Sequence, residues 1–318
     1  MSKFRILLAL AGAALIAALL GGVPPAHATV PGGNGRIAFT DFTYGGTDNV
    51  FTMTPAGLNV KQLTFLTSDQ GGDSAAAWSP DGSTLVFTEH NSDFSTLRLW
   101  LINADGSNKH LLFAEDPAYS DLVGNWSPDG RRVIFQRCNS AKEECSIYTV
   151  KPDGHGLTQI TQPQHNAKQN NFDVKPEFSP DGKTISFSSL QRGGVQNGIY
   201  LMGSHGAGIR LITPTALGAA AADWSPDGQK IAFLTHCCDP QISTIDTMNP
   251  DGTGITQLTS PSPSHDFGPS YSPHGDMIVF ERDAPDFSTS DIETIPAGGG
   301  TPTVIATDAA GPSWGPAP

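Results

Sequence analysis

Trp78-Ser79-Pro80-Asp81-Gly82 recurs letter for letter at 126–130 and at 224–228, with near copies FSPDG at 178–182 and YSPHG at 271–275. The serines fall at 79, 127, 179, 225 and 272, so the interval is 46 to 52 residues. Self-similarity at such a period over most of a chain marks a repeat architecture. The stretch itself reads as a turn. Proline presets φ at the second position of a type I turn, aspartate suits the third, and glycine accepts the fourth.

The flanks of each copy are equally regular. After a gap of two residues from the glycine comes an apolar triplet ending in Phe: Leu85-Val86-Phe87, Val133-Ile134-Phe135, Ile185-Ser186-Phe187, Ile231-Ala232-Phe233 and Ile278-Val279-Phe280. Its first and third members share one face of a strand. A variable stretch follows, then a second strand (99–102, 146–150, 198–202, 243–248, 291–295), a Gly-rich turn and a last short strand carrying Leu111, Ile160, Leu211, Leu258 or Ile305. Each unit is thus four short antiparallel strands, here a to d, which is one blade of a β-propeller.

A sixth unit is split. Ile37-Ala38-Phe39, Val50–Met53 and Leu63 supply strands b, c and d, with no strand a before them, while Pro312-Ser313-Trp314-Gly315-Pro316 matches a strand a with no blade after it. Pairing the two closes a ring of six blades and removes the open sheet edges. The predicted fold is therefore all-β: a six-bladed propeller of four-stranded antiparallel blades, closed by the C-terminal strand completing the N-terminal blade. Gly311-Pro312-Ser313-Trp314-Gly315 also satisfies G-x-S-x-G, the nucleophile elbow of α/β-hydrolases. That fold needs its Asp and His after the serine, and only three residues follow Gly315.

The pattern P-x-W-S-P-D-G-x-x-I-A-F, followed by I-Y-x-M-x-x-D-G and x-x-L-T, resembles the TolB-like six-bladed β-propeller family over residues 34–316. The resemblance concerns the propeller part alone. The family includes periplasmic scaffold proteins, lyases and the propeller domains of peptidases, so it implies a fold more closely than a function.

Lys3 and Arg5 precede a fifteen-residue apolar run, Ile6–Leu20, and Ala26-His27-Ala28 has the small-x-small form of a signal-peptidase site. The run is shorter than the ~20 residues of a membrane-spanning helix. Residues 1–28 are expected to be a cleaved signal peptide and 29–318 a single propeller domain, secreted or periplasmic and soluble. The net charge is −13, which disfavours nucleic acid and anionic lipid as partners. The expected partner is an envelope or extracellular protein or peptide, bound by a monomer without membrane insertion.

Strand order places the b–c and d–a loops on one face and the SPDG and Gly-rich turns on the other. Binding sites concentrate on irregular loops over a rigid scaffold. Six residues before the motif serine stand Asp73, Asp121, Asp173 and Asp266, with Ala219 and Ala309 in the other two blades. Such a ring fits either a divalent cation site or capping of the d–a turn amides; no cofactor is otherwise expected. His90, His165, His236 and His265 fall on the loop face, together with Cys237 and Cys238, whose adjacency permits a vicinal disulfide serving as a stacking platform. Cys138 and Cys145 are expected to staple the b–c hairpin of blade 3. Trp78, Trp126, Trp224, Trp314, Phe178 and Tyr271 are expected in the core between blades. The function expected is non-catalytic binding or scaffolding through the loop face. The alternative is an envelope hydrolase or lyase acting on saccharide or peptide at the channel mouth.

Overall fold

The computed structural model describes residues 31–317 except 42–46, 68, 140, 163–171, 191, 193–196, 237–242 and 261–262. The expected signal peptide, His165, Cys237 and Cys238 lie outside the described residues. The described chain is almost wholly strand and turn, with one short 3-10 turn at Thr215–Leu217. No described helix is long and apolar enough to cross a membrane.

Six four-stranded antiparallel units follow the chain, each ordered a-b-c-d. Unit 1 holds β1 (Asn34–Asp41), β2 (Asn49–Met53) and β3 (Lys61–Gln62). Unit 2 is β4 (Gly72–Trp78), β5 (Thr84–His90), β6 (Leu97–Asn103) and β7 (His110–Leu111), and unit 3 is β8 (Ser120–Trp126), β9 (Val133–Asn139), β10 (Glu144–Val150) and β11 (Thr158–Gln159). Unit 4 comprises β12 (Phe172–Phe178), β13 (Thr184–Leu190), β14 (Asn197–Gly203) and β15 (Arg210–Leu211). Unit 5 comprises β16 (Ala220–Trp224), β17 (Ile231–Thr235), β18 (Thr244–Met248) and β19 (Thr256–Gln257). Unit 6 is β20 (His265–Tyr271), β21 (Met277–Asp283), β22 (Ser290–Pro296) and β23 (Thr303–Thr307), and β24 (Ala309–Pro316) follows it. Units 3 and 4 are not separate by backbone pairing: one parallel bridge, Cys145 with Phe172, joins them into an eight-stranded sheet.

β24 pairs antiparallel with β1, placing Ile37 opposite Trp314 and Ala38 opposite Ser313. Unit 1 thus takes its inner strand from the far end of the chain, as the split sixth copy predicted. Gly315 is required there, because a Cβ at this position would lie 2.5 Å from Cγ of the Trp78 indole.

The SPDG turns repeat one set of hydrogen bonds. The hydroxyl of Ser79, Ser127, Ser179 and Ser225 donates to Asp81, Asp129, Asp181 and Asp227 at 2.6–2.7 Å. It also accepts the amide of the residue five positions on, at 2.8–3.0 Å. These serine hydroxyls hold the four carboxyls below their ordinary range. In the fifth copy His274 replaces the aspartate, and Asp276 takes over by accepting from Ser272 at 2.8 Å.

The core lies between units. The aromatic that opens each motif packs on the preceding unit: Trp126 with Val86 and Leu99, Phe178 with Ile134 and Ile147, and Trp224 with Ile199 and Leu201. Tyr271 meets Leu234 and Ile245, Trp314 meets Val279 and Ile292, and Trp78 meets Ala38 and Val50. The Phe of each complete unit's triplet is fully buried. Burial of such side chains is worth about 1.5–3 kcal/mol each, so these contacts dominate cohesion.

Candidate functional site

In units 2, 3, 4 and 6 strand a begins at the loop face, and its second residue pairs across to strand b with a residue sixteen positions later. The pairs are Asp73 with Glu89, Asp121 with Arg137, Asp173 with Ser189 and Asp266 with Arg282. The four ring aspartates are thereby buried against cations of their own units. Arg137 forks onto Asp121 at 2.7 and 3.1 Å, and Arg282 forks onto Asp266 at 2.6 and 3.0 Å while reaching Glu293 at 2.8 Å. Asp173 accepts from Ser189 at 2.6 Å and from both Nε and Nη2 of Arg192. Lys109 bridges Glu89 at 2.6 Å and Asp73 at 3.3 Å. These cations also sit over aromatic rings, Arg137 at 4.8 Å from the Tyr119 centroid and Lys109 at 5.2 Å from that of Phe87.

Burial pushes the Asp121 and Asp266 carboxyls up, against the pull of their arginines, and pushes Asp73 up to about 7 against that of Lys109. The carboxylates therefore meet side-chain cations of their own units. Among the described residues no three His, Cys, Asp or Glu side chains converge as a metal site would require. The i, i+16 charge pairs at 121/137 and 266/282 were the sequence signal for this arrangement, visible once strands a and b are aligned.

A second set of inner residues went unnoticed in the sequence. Two positions before the motif serine stand Asn125, Glu177, Asp223, Ser270 and Ser313, all buried. They tie strand a of one unit to strand a of the next. Asn125 donates to Glu177 at 3.4 Å, Glu177 shares a hydrogen bond with Asp223, Asp223 accepts the Tyr271 amide, and Ser270 accepts the Trp314 amide at 3.2 Å. Burial and the neighbouring Asp223 hold Glu177 well above the usual carboxyl range. Lys175 occupies the bulge of β12 with φ +52°, a left-handed conformation that costs a side-chain-bearing residue energy. Burial pushes its ammonium down to about 8, while the charge of Glu281 in unit 6 pulls it up. Glu281 is itself pushed well above its ordinary value by burial and accepts the Gly311 amide at 2.9 Å.

The loop-face histidines differ. His90 is buried, with Nε2 3.4 Å from Asp48, and lies flat on Phe94 at 3.9 Å between ring centroids. His265 is buried and lies on Phe287 at 4.6 Å. His236 is exposed and left-handed, with φ +54°. These three are not brought into one cluster with the ring aspartates. Cys138 and Cys145 form a disulfide between cross-strand partners of β9 and β10, as expected. A cavity of about 780 Å³ lies on the opposite, turn face, lined by Asp181, Met202, Arg210, Trp224 and Asp227 between units 4 and 5.

Comparison with known proteins supports the same fold. The chain is similar to the crystal structure of TolB from Acinetobacter baumannii, with TM-score 0.71 and 20% identity over 89% of this chain and 67% of that one. It is also similar to a putative TolB from Agrobacterium tumefaciens, with TM-score 0.65 and 18% identity over 87% and 91%. Among curated proteins it matches dipeptidyl-peptidase 5 of Porphyromonas endodontalis, 29% identical over 110 residues, 33% of this chain and 16% of that one. The first curated relatives are matched over only 21%, 16% and 33% of their lengths. The family model for the TolB beta propeller domain matches residues 119–318, more than half of the sequence and four complete repeats with the closing strand, so the chain belongs to the TolB beta-propeller domain family.

Proposed function

We propose that this chain is an exported, closed six-bladed propeller that acts without catalysis, as a binding or scaffold module of the cell envelope engaging a protein or peptide through its loop face. One observation carries the reading: the turn face repeats one hydrogen-bond pattern, whereas the loop face differs from unit to unit above buried, mutually satisfied ion pairs. Rigid support beneath variable loops is the arrangement of a recognition surface. Closure into a ring is supported by the six inter-unit hydrophobic clusters, which link unit 6 to unit 1 as they link every other neighbouring pair. The disulfide, and the signal peptide expected from residues 1–28, support an oxidising, extracytoplasmic location.

Affinity capture from an envelope extract tests the reading, with loops 91–96 and 284–289 replaced in one variant and turns 104–107 and 251–254 in another. Capture lost only in the first is expected. Capture insensitive to the first moves recognition to another face.

An enzymatic reading has one observation in its favour. Burial and the neighbouring Asp223 push the Glu177 carboxyl well above its usual range, the direction a general acid requires. Hydrolysis or elimination on an oligosaccharide or peptide, lost in Glu177→Gln, would replace the scaffold reading.

A further inference from the structure

Among the described residues of the loop face three phenylalanines stand out, Phe65, Phe94 and Phe287, exposed by 73%, 47% and 58%. Phe65 lies between β3 and β4, Phe94 between β5 and β6, and Phe287 between β21 and β22. Units 6, 1 and 2 are successive in the packing, since β1 and β2 share one cluster with unit 6 and another with unit 2. The three rings therefore occupy one sector.

Two of these loops are built alike. Asp93-Phe94-Ser95-Thr96 and Asp286-Phe287-Ser288-Thr289 repeat the same four residues. Phe94 N donates to Asn91 O at 3.0 Å and Phe287 N to Ala284 O at 2.9 Å, while Asp93 and Asp286 accept the amides of Ser95 and Ser288 at 3.0 and 3.1 Å. Both phenylalanines are left-handed, with φ +55° and +56°. Glycine or asparagine is the economical residue at such a position, and a bulky side chain there is an outlier. Each ring lies flat on a buried histidine at the end of a strand, His90 or His265, which fixes its orientation. Two strained, exposed and oriented aromatics in matching loops are unnecessary for a hairpin turn. They are what a pre-organised contact needs.

The charge around them selects the occupant. Segments 65–71, 91–96, 284–291 and 307–309 hold five aspartates, at 69, 93, 286, 291 and 308, and no lysine or arginine. Hydrogen bonds from Thr67, Ser95 and Ser288 keep Asp69, Asp93 and Asp286 below the ordinary carboxyl range, so they stay ionised throughout the neutral range. Anionic groups interleaved with exposed rings complement a chain that alternates cationic and apolar side chains, through ion pairs, cation–π contacts and ring burial together.

We propose that Phe65, Phe94 and Phe287, with the aspartates among them, form the docking surface for a basic, apolar segment of a partner protein. The proposal rests on the loop-face reading above and names where on that face, and to what chemistry, it applies.

The test uses the whole chain and a fluorescein-labelled twelve-residue peptide of alternating Lys and Leu. A Glu/Leu peptide and a Lys/Ser peptide of the same length serve as controls, all read by anisotropy. The Lys/Leu peptide is expected to bind at least tenfold more tightly than either control. The double variant Phe94→Asn, Phe287→Asn is expected to weaken it by roughly tenfold or more, as loss of two aromatic anchors does. Asparagine tolerates the left-handed conformation, so that variant should melt at or above the temperature of the parent. A lower melting temperature would show that the rings serve the fold. Equal binding of the Lys/Ser peptide, or binding unchanged in the double variant, would overturn the proposal. If peptide binding is insensitive to the double variant while envelope capture still requires loops 91–96 and 284–289, this inference fails and the loop-face reading stands.

Discussion

The turn face and the loop face of this molecule follow opposite rules. On the turn face one motif is copied, and when His274 breaks the copy, Asp276 restores the same hydrogen bond from two residues away. Among the described residues of the loop face no two neighbouring connections match, yet beneath them Asp121, Asp173 and Asp266 are each forked by an arginine. Repetition secures the first face through many small, equal contributions. The second is secured from below by a few large ones, which leaves its surface free to vary.

The sharpest way to break this contrast is Arg137→Ala. It leaves Asp121 buried without its cation, and stability in urea is expected to fall by about 3–5 kcal/mol. A loss below about 1 kcal/mol would mean that the loop face needs no such footing. Ser179→Ala probes the other face. It removes both the donor to Asp181 and the acceptor for Thr184, with an expected cost of about 1–2 kcal/mol by the same measurement. A cost equal to that of Arg137→Ala would erase the distinction.

The inner residues, which belong to neither face, respond to pH. Asp73 holds its proton up to about pH 7 in the fold and releases it near 3.8 when unfolded, and Glu177 and Glu281 are shifted in the same direction. The folded state therefore binds the extra protons, and stability declines as pH rises from about 4 through 7. Lys175 has the reverse sign. Its folded value of about 8 lies below the unfolded 10.5, so stability recovers between those values. The urea midpoint should fall as pH rises from about 4 towards 7, and Glu177→Gln should make that fall shallower. A flat profile in the parent protein would mean that these groups are not buried as described. The smallest effect is expected at the loop surface, where Asp93→Ser should change stability by less than about 0.5 kcal/mol while weakening the Lys/Leu peptide.

The strands, the repeat and the C-terminal completion of unit 1 were legible because they depend on local chemistry: turn residues at fixed offsets and a period-2 triplet. The fate of the ring aspartates was not, because cation site, amide cap and ion pair all begin with a carboxylate at the same position. Only cross-strand register distinguishes them, and Arg192, displaced to i+19, does not keep that register. Lys175 and Glu281 were invisible for a different reason. Their proximity spans two units and depends on a bulge whose conformation no local pattern announces. The Phe94 and Phe287 loops repeat four letters, but nothing in those letters declares a left-handed aromatic.

The pairing of β24 with β1 has a mechanical consequence. Asn34 lies opposite Pro316 and Asp41 opposite Ala309, so the chain enters β1 and leaves β24 at the same edge of the sheet. Tension applied between the two ends would load these hydrogen bonds one at a time, as a zipper is opened, instead of shearing them together. Units packed on one another through buried indoles would thus yield at this pairing to a small directional pull.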